Sequence, residues 1–198
     1  MKLCLASASP GRLQVLTSAG ITPEVIVSDV DEDAILAEMV SASTADVVLA
    51  LARAKAEAVE KTSGRSFIIG CDSMFEMDGE VVGKPYTEEV ARERLRAMSG
   101  RSGVLSTGHW LITPAGSVGG VSEATVHVAP MTDDEIEAYI RTGEPLGVAG
   151  SFTIDGYGGP FIERIDGDPH GVTGLSLPLL RSLMAQRGYS ITELWDGS

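Results

Sequence analysis

The stretch Leu3-Cys4-Leu5-Ala6-Ser7-Ala8-Ser9-Pro10-Gly11-Arg12-Leu13-Gln14-Val15-Leu16 decides the architecture. Residues 2–6 are mostly apolar, which predicts a buried strand. Ser9 followed by Pro10 is a helix start: a capping hydroxyl, then a ring of fixed φ at the first helical position. Leu13, Leu16 and Ala19 recur at helical spacing, and Gly20 ends the run. A strand that turns straight into a helix sets unpaired N–H groups and a positive dipole end beside the strand's carboxyl end. Ser7, Ser9 and the Arg12 fork are suited to phosphate oxygens at such a place. The plainer reading is a well-capped helix with a solvated arginine. Lys2 and Ala6-Ser7-Ala8 mimic a secretory leader, but the apolar part is far shorter than the roughly 7 to 15 residues a leader core needs.

Working outward, Val25 to Val27 reads as a second strand, and Asp29 to Asp33 as an acidic loop. Residues 46–62 are rich in alanine, leucine and alternating charge, which predicts the longest helix, closed by Gly64. Phe67 to Cys71 is an apolar strand ending at Asp72. Met74 to Val82 follows as a hairpin turning at Asp78-Gly79. Thr87 caps a helix to Met98. Residues 104–113 and 118–129 are long β patterns joined through Pro114-Ala115-Gly116. Thr132-Asp133-Asp134-Glu135 is a capping box that opens a helix to Thr142. Residues 143–174 are dense in glycine around one strand, Phe161 to Ile165, and Ser176 caps a last helix that stops before Gly188. Strands alternating with helices, then hairpins, predict an α/β fold with a mixed sheet.

At 198 residues the chain has the length of one domain, and 43% hydrophobic residues is ordinary globular composition. Acidic residues outnumber basic ones 28 to 15, for a net charge of −13. Such a chain is repelled at long range by phosphate backbones and anionic lipid, so nucleic acid and membrane are poor partners. A few local cations or a metal still suffice for a small phosphate ligand. No apolar run reaches the roughly 18 residues of a membrane span. Cys4 and Cys71 lie far apart in apolar runs and read as buried thiols of a cytoplasmic protein, with a disulfide between them as the lesser alternative.

Asp72 ends a buried strand, the place where α/β proteins put ligands; it is suited to a metal or to a water's proton, and equally to capping a turn. Lys84 is held between Gly83 and Pro85 and can reach phosphate as a point charge. Lys55, beside Leu51, Ala54 and Ala58, reads on residue type alone as a snorkelling surface lysine. Asp31-Glu32-Asp33 is a solvated charge run or a hard-cation site. Asp166-Gly167-Asp168 fails as a calcium loop because Leu177 stands where glutamate is needed. No G-x-x-x-x-G-K-[ST] motif is present. His109 and His127 fall in strands, and His170 alone lies in the glycine-rich stretch. No Ser-His-Asp or Cys-His set can be assembled by name.

Taken together, the segments resemble the Maf family of nucleoside triphosphate pyrophosphatases. Ser7-Ala8-Ser9-Pro10-Gly11-Arg12 is similar to the family's S-x-S-P-R-R. Asp31-Glu32 is similar to its acidic loop, and Leu51-Ala52-Arg53-Ala54-Lys55-Ala56 to its helix with an inward lysine. Gly70-Cys71-Asp72-Ser73 follows G-x-D-[ST]. Gly83-Lys84-Pro85, Ser99-Gly100-Arg101, Gly143-Glu144-Pro145, Ala149-Gly150, Asp166-Gly167 and Val172-Thr173-Gly174-Leu175 follow in order. The resemblance implies one Maf-like domain over residues 1–198, with an elongated mixed sheet flanked by helices and two lobes around a cleft. It implies cleavage between the α and β phosphates to a nucleoside monophosphate and pyrophosphate, removing non-canonical or modified nucleotides. It makes Asp72 the general base, with Lys84 and Glu32 in the catalytic set. Glu32 and Asp72 would hold a divalent cation, Mg²⁺ with Mn²⁺ as substitute. The substrate would be bound by Ser7, Ser9, Arg12, Lys55, Lys84, Arg101 and Asp155.

The departures bear on affinity and base preference. Gly11 replaces a second arginine, Gly103 a frequent histidine, and Gly147-Val148 a frequent Asp-Lys. Phe152-Thr153-Ile154-Asp155 departs from the aromatic-Gly-x-Gln pattern of members that prefer dTTP and UTP, so that preference does not transfer. Two alternatives stand beside the main reading: turnover of canonical pyrimidine triphosphates, and a nucleotide-binding regulator of septum formation with little turnover. The long middle hairpin and the loops around residues 144–160 are open to two uses, a homodimer contact or a base pocket.

Overall fold

A computed structural model describes residues 1–197. Its elements are β1 (Cys4–Ala6), α1 (Pro10–Ser18), β2 (Glu24–Val25), α2 (Glu32–Glu38), α3 (Thr44–Ser63), β3 (Ile68–Met77), β4 (Glu80–Val81), α4 (Glu88–Met98), β5 (Ser102–Thr113), β6 (Gly116–Val128), α5 (Asp133–Arg141), β7 (Ile162–Gly167), α6 (Pro169–Thr173) and α7 (Leu177–Gln186). The seven strands run β2-β1-β3-β5-β6-β7, with β4 paired to β3. β1 is parallel to β2 and β3, whereas β4 and β7 are antiparallel to their neighbours, so the sheet is mixed as expected.

The chain divides into two compact units. The first comprises Met1–Asp72, Thr107–Ser122 and Gly174–Ser198. Its larger core gathers Leu3, Leu5, Leu16, Ile69, Leu111 and Leu180, among others, from β1, α1, β3, β5 and α7. Burying each such side chain contributes about 1.5–3 kcal/mol. A second cluster, with Cys4, Ala56, Val59, Ile68 and Ile112, seats α3 on the sheet. This seating is unusually close. A Cβ at Gly70 would lie 2.2 Å from the Ala52 carbonyl oxygen, and one at Gly108 would lie 2.2 Å from that of Val48. Both glycines therefore let the helix backbone rest on the strand backbone.

The second unit comprises Ser73–Ser106 and Glu123–Thr173. Phe75, Met77, Met98, Leu105, Val126 and Phe152 lie in one of its cores, with Phe75 and Phe152 edge to face, their centroids 5.2 Å apart. A Cβ at Gly103 would lie 2.3 Å from the Phe75 ring, so the glycine found in place of the family's frequent histidine is a packing requirement in this chain. A second core packs α4 on α5 through Ala91, Leu95, Ile136, Tyr139 and Ile140. The capping box at Thr132 and Glu135 is present.

Three expectations need correcting. The acidic loop is cut short: Asp31 accepts a hydrogen bond from the Ala34 amide at 3.0 Å and caps α2, so Glu32 is the first residue of a helix. A side chain acting as N-cap looks the same in sequence as a solvated acidic run. The strand that was to end at Asp72 continues to Met77 in one piece. His170 sits on the short helix α6 and contacts Asp168, instead of standing in an open loop. The structure also joins a set that no sequence spacing names. Ser102 Oγ lies 2.7 Å from His127 Nδ1, and Asp166 Oδ2 lies 2.8 Å from both His127 Nε2 and Arg164. This is a cross-strand network over β5, β6 and β7, in which Arg164 neutralises the aspartate. Among the described residues, no helix is long and apolar enough to cross a membrane.

Both cysteines are free and buried. Burial pushes the Cys71 thiol up to about 12, and burial with the nearby Glu24 charge raises Cys4. Ellman's reagent at pH 8 should therefore find no rapidly reacting thiol in the native protein and two after denaturation. Gly70→Ala forces α3 off the sheet; it should cost about 2–3 kcal/mol, read as a Tm lower by roughly 5–10 °C.

Candidate active site

The site residues of the first unit follow from the end of β1 and the middle of β3. β1 and β3 pair in parallel with Ala6 opposite Gly70, so Ser7 leaves the end of β1 beside Cys71 while β3 runs on. Side chains alternate along a strand, so Asp72 shares the face of Gly70. That face is the one on which α3 rests. Lys55 lies on α3 between Ala52 and Ala56, the two residues against Gly70, and so is carried over Asp72. Its Nζ donates to Asp72 Oδ1 at 2.6 Å and lies 2.9 Å from Glu32 Oε1. The Lys55 and Asp72 side chains are each 11% exposed, while that of Glu32 is half exposed. Lys55 is thus an inward charge, as the family resemblance implied, and not the surface lysine its residue type suggests.

At the β1–α1 turn, Ser9 caps α1, accepting a long hydrogen bond from the Arg12 amide at 3.4 Å, with Pro10 at the first turn. Arg12 is buried. Its Nε donates to the Gly174 carbonyl at 2.9 Å, and one guanidinium nitrogen donates to Ser7 Oγ at 3.0 Å. Ser7 Oγ also accepts the Ser9 amide at 3.1 Å. The segment after Gly174 is fixed in turn by His109, whose Nε2 accepts the Ser176 amide at 2.8 Å while Nδ1 faces the Thr107 carbonyl at 3.0 Å. These contacts assign the proton to Nδ1 and keep the ring neutral. His109 and Gly174 are far from Ser7 in sequence, and no local signal announces their support of it.

The structure therefore brings Ser7, Ser9, Arg12, Glu32, Lys55 and Asp72 into the first unit, in two groups, one at the end of β1 and one over the neighbouring β3. Lys84, Arg101 and Asp155 belong to the second unit. Lys84 is exposed, on a strap fixed by hydrogen bonds from the Tyr86 amide to Leu146 O at 3.2 Å and from the Gly150 amide to Val82 O at 3.0 Å. Arg94 also donates to the carbonyl of Gly83. Arg101 lies against both oxygens of Asp78 at 2.7 Å, in the β3–β4 turn. Asp155 is exposed in the loop before β7.

Two carboxylates converging on one ammonium nitrogen are near enough to share a cation. Among the described residues no group of three or more histidine, cysteine or acidic side chains gathers. An oxygen-only pair fits Mg²⁺ or Mn²⁺, ions that commonly take one or two carboxylates and complete their shell with water and substrate phosphates.

A strand-to-helix turn with serine and arginine, beside an aspartate on β3 paired with a buried lysine, belongs to an α/β protein with a mixed sheet. The family model for Maf-like proteins matches residues 2–187, and the chain belongs to that family. It is similar to proteins named nucleoside triphosphate pyrophosphatase from Salinispora tropica, 50% identical over 99% of this chain and 88% of the relative, and from Corynebacterium diphtheriae, 48% identical over the whole of both. A third so named, from Mycobacterium ulcerans, is 49% identical over 98% of this chain and 96% of the relative.

The buried pair makes a stability prediction. Lys55→Met leaves the Asp72 carboxylate buried beside a neutral chain and should cost about 3–5 kcal/mol. The double variant Lys55→Met with Asp72→Leu should recover most of that loss in urea denaturation, because charge compensation, and not the shape of the lysine, holds the pair.

Proposed function

We propose that this chain hydrolyses nucleoside triphosphates to nucleoside monophosphate and pyrophosphate, as one catalytic domain, with a divalent cation. The supporting observation is Asp72: a carboxylate on β3 just past the end of the neighbouring β1, held by a buried lysine and beside a second carboxylate. Full-length similarity to relatives named for this activity supports the same reading.

In this reading a water attacks the α-phosphorus, and the bond from that phosphorus to the bridging oxygen of the β-phosphate breaks. Asp72 takes the water's proton, and pyrophosphate leaves with the bond's electron pair. Lys55 orients the Asp72 carboxylate through their hydrogen bond, and supplies positive charge where the phosphates accumulate negative charge. Ser7 and Arg12, with the capped start of α1 at Ser9, offer hydroxyl and N–H donors to phosphate oxygens. Glu32 and Asp72 would hold the cation, which when bound supplies charge neutralisation on the phosphates. Lys84 and Arg101 carry further positive charge for the substrate; Arg101 would have to leave Asp78 to do so. The −13 chain keeps these cations as local exceptions, so a metal-bound triphosphate suits it better than a bare one. Removal of non-canonical or modified nucleotides in the cytoplasm is the physiological role that goes with this chemistry.

The test is pyrophosphate release from a nucleotide panel with Mg²⁺, wild type beside Asp72→Asn. Wild type should release pyrophosphate, and Asp72→Asn should lose about 10³-fold or more in kcat while still binding nucleotide. Chelation should stop the reaction and Mg²⁺ or Mn²⁺ restore it. Wild-type binding without release would support the regulatory alternative and end the hydrolase reading.

A further inference from the structure

The cross-strand network of the second unit is a serine, a histidine and an aspartate in hydrogen-bonded series, and the chemistry above uses none of them. Ser102 Oγ lies 2.7 Å from His127 Nδ1, and Nε2 of the same ring lies 2.8 Å from Asp166 Oδ2. An ionised carboxylate only accepts, so in the neutral ring Nε2 carries the proton and donates to Asp166. Nδ1 is then the acceptor, and the Ser102 hydroxyl donates to it. An Arg164 nitrogen 3.1 Å from Nε2 makes no bond to the ring in this tautomer; it donates to the same Asp166 oxygen at 2.8 Å. The His127 hydrogen bond and the Arg164 charge hold the Asp166 carboxyl below the ordinary carboxylate range.

The backbone fixes this order. β6 and β7 pair with His127 opposite Arg164 and Thr125 opposite Asp166, so His127, Arg164 and Asp166 stand on one face of the sheet. The Val128 amide donates to the Arg101 carbonyl at 2.9 Å and holds the start of β5 against β6. The next residue but one, Gly103, lies so close to the Phe75 ring that a Cβ would fall 2.3 Å from it, so Ser102 stands on backbone anchored in the core. Arg101 turns away to Asp78. Ser102 itself is exposed, while the His127 side chain is only 25% exposed. The nucleophile is open and its base is sheltered. Val104, two residues on and on the same face of β5, is an exposed apolar side chain beside the serine.

We propose that Ser102, His127 and Asp166 form a second reactive centre, in which Ser102 takes an acyl group from carboxylic esters with a good leaving group and passes it to water. His127 Nδ1 takes the hydroxyl proton as Ser102 Oγ bonds to the carbonyl carbon. The bond from that carbon to the leaving oxygen or sulfur breaks, the electron pair goes with the leaving group, and His127 returns the proton to it. Water then attacks the acyl-serine and gives its proton to Nδ1; the carboxylic acid departs and the serine is restored. Asp166 is the positioning residue: it holds the ring in the tautomer that leaves Nδ1 open and faces the positive charge the ring gains. The open sheet face sets the substrate class. Water there competes with fixed donors for a developing oxyanion, so the ester must be an activated one, an aryl ester or a thioester. In a chain of net charge −13, an uncharged ester also approaches more readily than a phosphoryl anion.

The experiment treats the whole protein with p-nitrophenyl acetate at pH 8, follows p-nitrophenol release, and locates acetyl groups by peptide mass. Wild type should carry acetyl on Ser102, and Ser102→Ala should lose both that label and the early release. His127→Gln should slow acetylation of Ser102 about 100-fold. Asp166→Asn frees the ring to take the other tautomer and should slow it about tenfold, with Asp166→Glu restoring most of the rate. Arg164→Met leaves the whole Asp166 charge to the ring and should quicken acetylation about threefold, the scale of an exposed ion pair. Loss of a merely structural ion pair gives no such gain. Tm is read for every variant, so that rates are compared among folded chains. Acetyl groups confined to lysines, with Ser102 bare, overturn the proposal. So does a His127→Gln variant acetylated at Ser102 at the wild-type rate. No nucleotide enters the assay, so its failure leaves the hydrolase reading as it stands, and the reverse holds too.

Discussion

The contact between α3 and the strands beneath it at Gly70 and Gly108 governs the candidate active site. Helix and sheet ordinarily keep side chains between them. Here two positions without a Cβ let backbone meet backbone, each hypothetical Cβ falling 2.2 Å from a helix carbonyl. The consequence is chemical as well as structural. Lys55 is drawn low enough over β3 for its ammonium to meet Asp72, two residues beyond Gly70 on the same face. A bulkier residue at Gly70 would lift the helix and pull the two charges apart.

Charge compensation then fixes the character of the site. A buried carboxylate or ammonium alone costs several kcal/mol, and neither is left alone here. Lys55 serves Asp72 and Glu32 together, so the three charges form one cluster of net negative sign. Such a cluster is suited to a divalent cation that arrives with its phosphates. Arg12, by contrast, is spent partly on protein oxygens, at Ser7 and Gly174. Its interior contacts hold the β1–α1 turn in shape, which is a reason for its burial independent of any ligand.

The second unit solves a different problem. Its loop-rich segment is anchored in the core by Phe152, and the turns on either side of that anchor are ordered by hydrogen bonds to Glu144. Burial opposes the ionised form of that carboxylate, but its hydrogen bonds outweigh burial and lower its pKa below the ordinary 4.5. The loop contacts therefore stand in full above that ordinary value and are lost only as the pH falls through the lower one. Glycines at 156 and 158 are the counterpart of that arrangement, since the carboxylate and the Tyr139 hydroxyl occupy the space a side chain would need.

The sequence by itself determined the α/β class, the alternation of strands and helices, the caps at Ser9, Thr87, Thr132 and Ser176, and the turn at Asp78-Gly79. These are written in short-range pattern, where a hydroxyl, a proline or a periodic leucine acts within a turn or two. Ordered motifs, read as a resemblance, also pointed to Asp72, Glu32, Lys55 and Ser7. Only the tertiary structure decided that Lys55 is buried on Asp72, that Arg12 bonds Gly174, that Gly103 makes room for Phe75, and that Glu144 moulds the loop holding Asp155. Each of these joins residues on different elements or loops. Nothing local in a lysine on an alanine-rich helix says whether its charge faces water or a strand, because the packing of the whole helix on the sheet sets that direction.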